Sequence, residues 1–232
     1  MVNDNFSGLT RLPSHWCAYS GHDKVNGGNY LPSHLYVSGG YLHLLSSYMS
    51  SGPAGAAWYQ GAIALTRTSG GGCGGSSKYP LSAVNSRLTV RMRVLETGNG
   101  RAAGHRNILR WPDGGGWPSA GEEDMWESEV SLTSKVSAFF HYGSTNRQII
   151  WSYPPRDMTQ WHTYRFQRLN NVISIYIDNM TTPVHVYNGN STTLPETFKH
   201  WIFQQQCSHN GCPAPSTDTE DWQIASIAID NA

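Results

Sequence analysis

Five carboxylates fall within eight residues of one stretch, WPSAGEEDMWESEV: Glu122, Glu123, Asp124, Glu127 and Glu129. The chain is otherwise sparsely charged, with 14% Asp, Glu, Lys and Arg. Such a cluster has three chemical readings. A charge run forms a solvated acidic edge. Acidic clusters bind calcium, although calcium sites usually add carbonyl ligands from a flexible loop. Two carboxyl groups flanking a glycosidic bond hydrolyse it, one as nucleophile or base and one as proton donor.

The third reading depends on which carboxylates share a face. Residues two apart on a strand point the same way. On a regular strand over 121–132, Glu122, Asp124 and Trp126 share one face; Glu123, Met125, Glu127 and Glu129 share the other. One extra residue between Asp124 and Glu127, a β-bulge, returns Glu127 to the face of Glu122 and Asp124. The unbulged alternative pairs Glu123 with Glu127. In the bulged form, Asp124 is placed to hydrogen-bond one glutamate and, by charge repulsion, to keep a neighbour protonated. Four strand steps span about 13 Å at Cα. The two glutamates therefore converge only on a curved sheet with side chains leaning inward.

The elements that must hold this stretch read as strands. RLTVRMRV (87–94) alternates Leu88, Val90, Met92 and Val94 against Thr89, Arg91 and Arg93. TYRFQRL (163–169) and VISIYID (172–178) alternate in the same way, and Asn170–Asn171 between them suits a tight hairpin. WQIASIAI (222–229) closes the chain with the same period. Twenty-four Gly and twelve Pro punctuate these runs. The pattern predicts an all-β fold, a β-sandwich or jelly roll. SGGGCGGSSKYP (69–80) and CPAPSTDTED (212–221) read as surface loops.

Composition narrows the partners. Net charge is zero and the sixteen Lys and Arg are scattered. Nucleic acid and anionic membranes both demand a basic track, so neither is expected. Nine Trp and twelve Tyr on a weakly charged chain suit a neutral, hydroxyl-rich polymer, with roughly half the Trp expected in the core. Four cysteines fit one or two disulfides of a secreted protein. Cys207 and Cys212 can close a local loop, leaving Cys17 and Cys73. Zinc at Cys207, His209 and Cys212 lacks a matching second half. No apolar run reaches transmembrane length. The N-terminus is polar, and Met1 is expected to replace a removed leader.

WPDGGGWPSAGEEDMWES resembles the active-site strand of glycoside hydrolase family 16, whose pattern is G-E-x-D-x-x-E, often preceded by W-P. The likeness extends to the opening strands (4–8 and 27–46), to RLTVRMRV, to 140–148 with 157–179, and to the closing strands (200–206 and 220–229). The resemblance implies a jelly roll of two curved antiparallel sheets with a concave substrate cleft, spanning 1–232 as a single catalytic domain. It implies Glu122 as nucleophile, Asp124 as assisting carboxylate and Glu127 as general acid/base. Trp111 and Trp117 match cleft tryptophans and His141 a histidine near the departing sugar. Asn29 and Gln204 resemble polar residues of the cleft. Trp161 and His162 read as structural.

One departure stands out. The residue between the first Glu and the Asp is usually a core hydrophobe; here it is Glu123. A buried carboxylate is costly, so Glu123 must be paired, protonated or at the wet end of the strand. No cofactor is required by this chemistry; the family often carries a convex-face calcium, which Asp221 and the Gly40 backbone would hold. The expectation is a secreted monomer acting on a β-linked polysaccharide, most simply β-1,3- or β-1,3/1,4-glucan. A non-catalytic glycan-binding module and a polysaccharide lyase on the same fold are the rivals.

Overall fold

The computed structural model describes residues 1–65, 83–98, 104–113, 115–128, 136–208 and 210–231. Among them, the strands in chain order are β1 (Val2–Asn5), β2 (Trp16–Ala18), β3 (Gly21–His22), β4 (Asn29–Tyr30), β5 (Leu35–Ser38) and β6 (Tyr41–Gly52). There follow β7 (Gly55–Gln60), β8 (Ala62–Leu65), β9 (Ser86–Thr97), β10 (His105–Pro112), β11 (Glu122–Ser128) and β12 (Val136–Tyr142). The last six are β13 (Arg147–Ser152), β14 (His162–Leu169), β15 (Val172–Ile177), β16 (His185–Asn188), β17 (Lys199–Gln206) and β18 (Thr219–Asp230). One short 3-10 turn, Pro32–His34, precedes β5. No described helix is long and apolar enough to cross a membrane.

These strands form two sheets. One runs β16-β15-β14-β9-β18-β6-β7-β4-β3, with β1 beside β18 and β5 beside β6. The other runs β13-β12-β11-β10-β17-β8-β2. Pairing is antiparallel except between β4 and β7. This is the expected β-sandwich jelly roll.

The alternating residues build the core. Leu88, Val90, Met92 and Val94 of β9 are buried, as are Tyr164 and Phe166 of β14 and the three isoleucines of β15. Asn170 turns the β14–β15 hairpin with φ 53°, a conformation asparagine tolerates. β18 departs from simple alternation. Trp222 and Ile224 point inward, then Ile227 and Ile229 do, because the register with β9 shifts between Ile224 and Ser226. A bulge at Ala225 switches the phase. β18 also begins at Thr219, so the preceding loop is shorter than its composition suggested.

Aromatic packing locks the sheets face to face. Trp126 of β11 stacks on Trp222 of β18 with centroids 5.7 Å apart and meets Tyr164 edge-on at 6.0 Å. Five of the nine tryptophans are buried: Trp16, Trp58, Trp126, Trp201 and Trp222. Cys207 and Cys212 form a disulfide. Cys17 is also disulfide-bonded; Cys73, His209 and Glu129 lie outside the described residues.

Candidate active site

β11 carries the acidic stretch through the middle of the seven-stranded sheet, and its register decides the site. Against β10, Leu109 pairs with Asp124 but Ile108 pairs with Trp126. Against β12, Asp124 pairs with Phe139 and Glu127 with Ser137. Met125 is thus the extra residue, and it and Trp126 are both buried. The backbone carbonyl at this bulge accepts a hydrogen bond from the buried hydroxyl of Tyr153. That contact satisfies a group the disrupted ladder leaves over. Glu122, Asp124 and Glu127 consequently line one cleft of about 610 Å³.

The approach to β11 is equally constrained. Gly121 has φ 75°, and a Cβ there would lie 3.0 Å from Pro195 Cδ and 3.3 Å from the His141 carbonyl. Only glycine combines that conformation with that clearance.

Glu123 points the other way, into the sandwich. Arg110 of β10 donates to its Oε2 at 2.6 Å, Arg168 of β14 donates to its Oε1, and Lys199 of β17 lies 3.4 Å from that oxygen. Burial alone would raise its pKa; Arg110, Lys199 and Arg168 reverse this and hold it at about 2. The cations are themselves anchored. Arg168 donates to the Leu194 carbonyl at 2.8 Å, and Lys199 to the Pro195 carbonyl at 3.0 Å and the Thr197 hydroxyl at 2.8 Å. Of the three options open to Glu123, pairing is the one the fold adopts, and it ties the two sheets together.

On the cleft side the three carboxyls have different partners. The Trp117 indole donates to Glu122 Oε2 at 2.7 Å. Asn107 donates to Asp124 Oδ1 at 2.6 Å, and His141 Nε2 lies 3.2 Å from Asp124 Oδ2. His105 Nε2 lies 3.0 Å from Glu127 Oε1. Asp124 therefore acts on Glu122 by its charge, while the hydrogen bond that fixes Glu122 comes from Trp117. Burial and the Asp124 charge push the Glu122 carboxyl well above the usual carboxylate range; His141 and the Trp117 N–H pull the other way. Burial would lower His141, but Asp124, Asn146 and Glu122 outweigh it and raise its pKa to about 9.

Trp111 and Trp117 stack with centroids 6.4 Å apart and planes 11° apart, and Trp117 is 44% exposed. Both line the cleft, as do His141 and Gln204, the latter between Asn107 of β10 and Ala62 of β8. Asn29 is buried in β4 and does not line the cleft; its neighbours Asn26 and Tyr30 do. Tyr30 donates to Gln206 at 3.0 Å, so the chain turns inward one residue later than at Asn29. The Cys207–Cys212 loop packs below, with Cys207 Sγ only 3.1 Å from where a Cβ on Gly28 would sit.

Two residues beside the carboxyls escaped sequence reading, His105 and Asn107. Both lie on the face of β10 that carries Leu109 and Trp111. Counting back by twos from Trp111 would have found them. Asn107 gives its amide hydrogen to Asp124, and its buried Oδ1 has no partner among the described residues.

Among the described residues, Glu122, Asp124 and His141 form the only group of metal-ligand type, with atoms within 4.8 Å of one another. Those atoms already serve Trp117, Asn107 and one another, which suits a hydrogen-bonded network rather than a cation. On the opposite face, the Asp221 carboxylate is engaged by His43 Nδ1 at 2.9 Å and by Gln223 at 2.7 Å.

No family model matches the sequence, and no curated protein sequence does. Solved structures match over nearly the whole chain. A family 16 endo-glucanase from Bacteroides ovatus has TM-score 0.72 at 15% identity, covering 99% of this chain and 99% of its own. LamAcat from Zobellia galactanivorans has TM-score 0.74 at 13% identity, covering 99% and 96%. The laminarinase catalytic domain of Thermotoga maritima has TM-score 0.72 at 15% identity, covering 100% and 97%. The chain has the fold of family 16 glycoside hydrolases.

Proposed function

We propose that this protein is a secreted, retaining endo-glycosidase that cleaves a β-linked polysaccharide, most simply β-1,3- or β-1,3/1,4-glucan. The observation that carries the reading is the Met125 bulge. It gathers Glu122, Asp124 and Glu127 on one cleft wall beside the Trp111–Trp117 pair. A lectin has no need of such a spaced dyad. The fold shared with endo-glucanases and laminarinases, one of them solved with a G4G4G3G product, supports the substrate class.

Glu122 attacks the anomeric carbon while Glu127 gives its proton to the departing glycosidic oxygen, and a glycosyl ester forms on Glu122. Glu127 then takes a proton from water, whose oxygen bonds the anomeric carbon as the ester breaks. Glu122 must be ionised to attack, so its raised pKa sets the acidic limb of the pH profile. Trp117 and the charged His141 favour the ionised form. That same raised pKa favours a second reading, with Glu122 as the acid and Glu127 as the nucleophile.

Incubation with β-glucans, galactans and uronans, following reducing ends and unsaturated products together, tests the class. Internal cleavage of β-glucan to products first released as the β-anomer is expected, with E122Q folded and inactive. Unsaturated ends would mean a lyase, and full activity of E122Q would sink the site. Trapping with a 2-fluoro glycoside and mapping the labelled peptide assigns the nucleophile.

A further inference from the structure

β10 sets His105 against the carboxyl group that the proposed reaction uses twice. Its side chain is 4% exposed, and Nε2 lies 3.0 Å from Glu127 Oε1. Oε1 accepts from an Nε2–H whether Glu127 is ionised or carries its proton on Oε2, so a hydrogen on Nε2 fits the contact in both states. The histidine sits on a locked part of the ladder. His105 pairs with Gln206 of β17, and adjacent Arg106 pairs with Ser128 of β11. The Arg106 side chain is fully buried and donates to Ser128 Oγ at 2.8 Å and to Glu220 Oε1 at 2.6 Å. Glu127, by contrast, keeps 21% of its side chain exposed toward the cleft. Such a side chain has rotamers to lose, and general acid catalysis depends on which oxygen faces the bond being broken.

We infer that His105 is a positioning residue for Glu127. It holds Oε1 and leaves Oε2 to exchange protons with substrate and water. The inference rests on the proposed function with Glu127 as acid/base. In the first step the proton on Oε2 passes to the leaving oxygen as its bond to the anomeric carbon breaks and the Glu122 ester forms. In the second step a water proton returns to Oε2 as the water oxygen bonds that carbon and the ester breaks. The His105 N–H donates to Oε1 in both states, so the geometry survives the change in charge.

Leaving-group dependence tests this, because a dinitrophenolate departs without protonation while a sugar hydroxyl does not. H105A and H105N are compared with wild type by kcat/KM on β-glucan and on a dinitrophenyl β-glycoside of a glucan disaccharide. A loss of roughly 10- to 100-fold is expected on the polymer, with little loss on the aryl glycoside. H105Q, which keeps an N–H at similar reach, should recover most of the polymer activity. A merely structural role lowers both substrates alike; equal losses, or none, overturn the inference. Should H105A unfold, H105N supplies the ratio and H105Q the recovery. A wild type inactive on both substrates overturns the functional reading, and this inference with it.

Discussion

Replacing Glu123 by Gln tests the polar tie between the sheets and, with it, the register of β11. The change keeps shape and removes one charge that faces Arg110, Arg168 and Lys199 in a fully buried setting. Two routes give its size. Breaking one side of a buried ion pair costs about 3–5 kcal/mol. Independently, Glu123 sits at about 2 in the folded chain against an ordinary 4.5. That difference corresponds to about 3 kcal/mol. The folded pKa is depressed, so this stability is present above pH 4.5 and is lost as pH falls toward 2. Thermal unfolding at pH 7 should therefore fall by roughly 6–20 °C in a chain of this size. The gap between wild type and E123Q should close between about pH 4.5 and pH 2. Activity per folded molecule at 25 °C should stay within about twofold, since Glu123 faces away from the cleft. A variant that melts with wild type at pH 7 would refute the account of the cluster. One that is stable but inactive would mean that Glu123, not Glu122, faces the substrate.

Trp117→Phe keeps the stacking ring but removes the N–H that favours ionised Glu122. The acidic limb of kcat/KM should move to higher pH, read from a pH–rate profile; an unmoved limb would detach Glu122 from it. Lys199 is held down to about 8 from 10.5, first by burial and then by the two guanidiniums, against the pull of Glu123. The unfolded chain thus holds this proton more tightly, so wild type should gain up to about 3 kcal/mol relative to K199M between pH 8 and 10.5, measured by urea unfolding. Tyr153→Phe leaves the Met125 carbonyl without its donor. A loss of about 1–3 kcal/mol is expected, with kcat falling more than KM rises as the bulge loosens, by calorimetry and kinetics together.

Much of the fold was legible because its strands obey one rule, alternation with period two. The type of the core strands followed from period two, but counting faces left two carboxyl pairings open, Glu122 with Glu127 across a bulge or Glu123 with Glu127 without one, and only the family resemblance chose the first. What escaped sequence reading depends on pairing between distant strands. Arg168 continues the inward set of Tyr164 and Phe166, a phase that went unread in the sequence. Its partner, however, lies 45 residues earlier, across the sandwich. The Ala225 bulge in β18 was invisible for the same reason, since a small residue in an apolar run gives no local signal. Asn29 was placed by the resemblance alone; it is buried in the two-residue β4, and Tyr30 beside it lines the cleft.

The two faces of β11 are not independent. In front, Glu122 and Glu127 share a wall only because Met125 is inserted between them. Behind, Glu123 and Trp126 are fixed before and after that insertion, one by three cations and the other by Trp222 and Tyr164. A strand pinned on both sides of a bulge cannot slip by one residue to erase it, because slipping would turn either Glu123 or Trp126 out of its setting. The glutamate at 123 thus fixes the strand by charge rather than by apolar packing. On that argument E123L, which restores an apolar residue but strands three cations, should be no better than E123Q. Recovery should require neutral partners at 110, 168 and 199 as well. If E123L alone matched wild type in stability, the cations would have to find solvent or other acceptors, and pairing could not be what holds the strand.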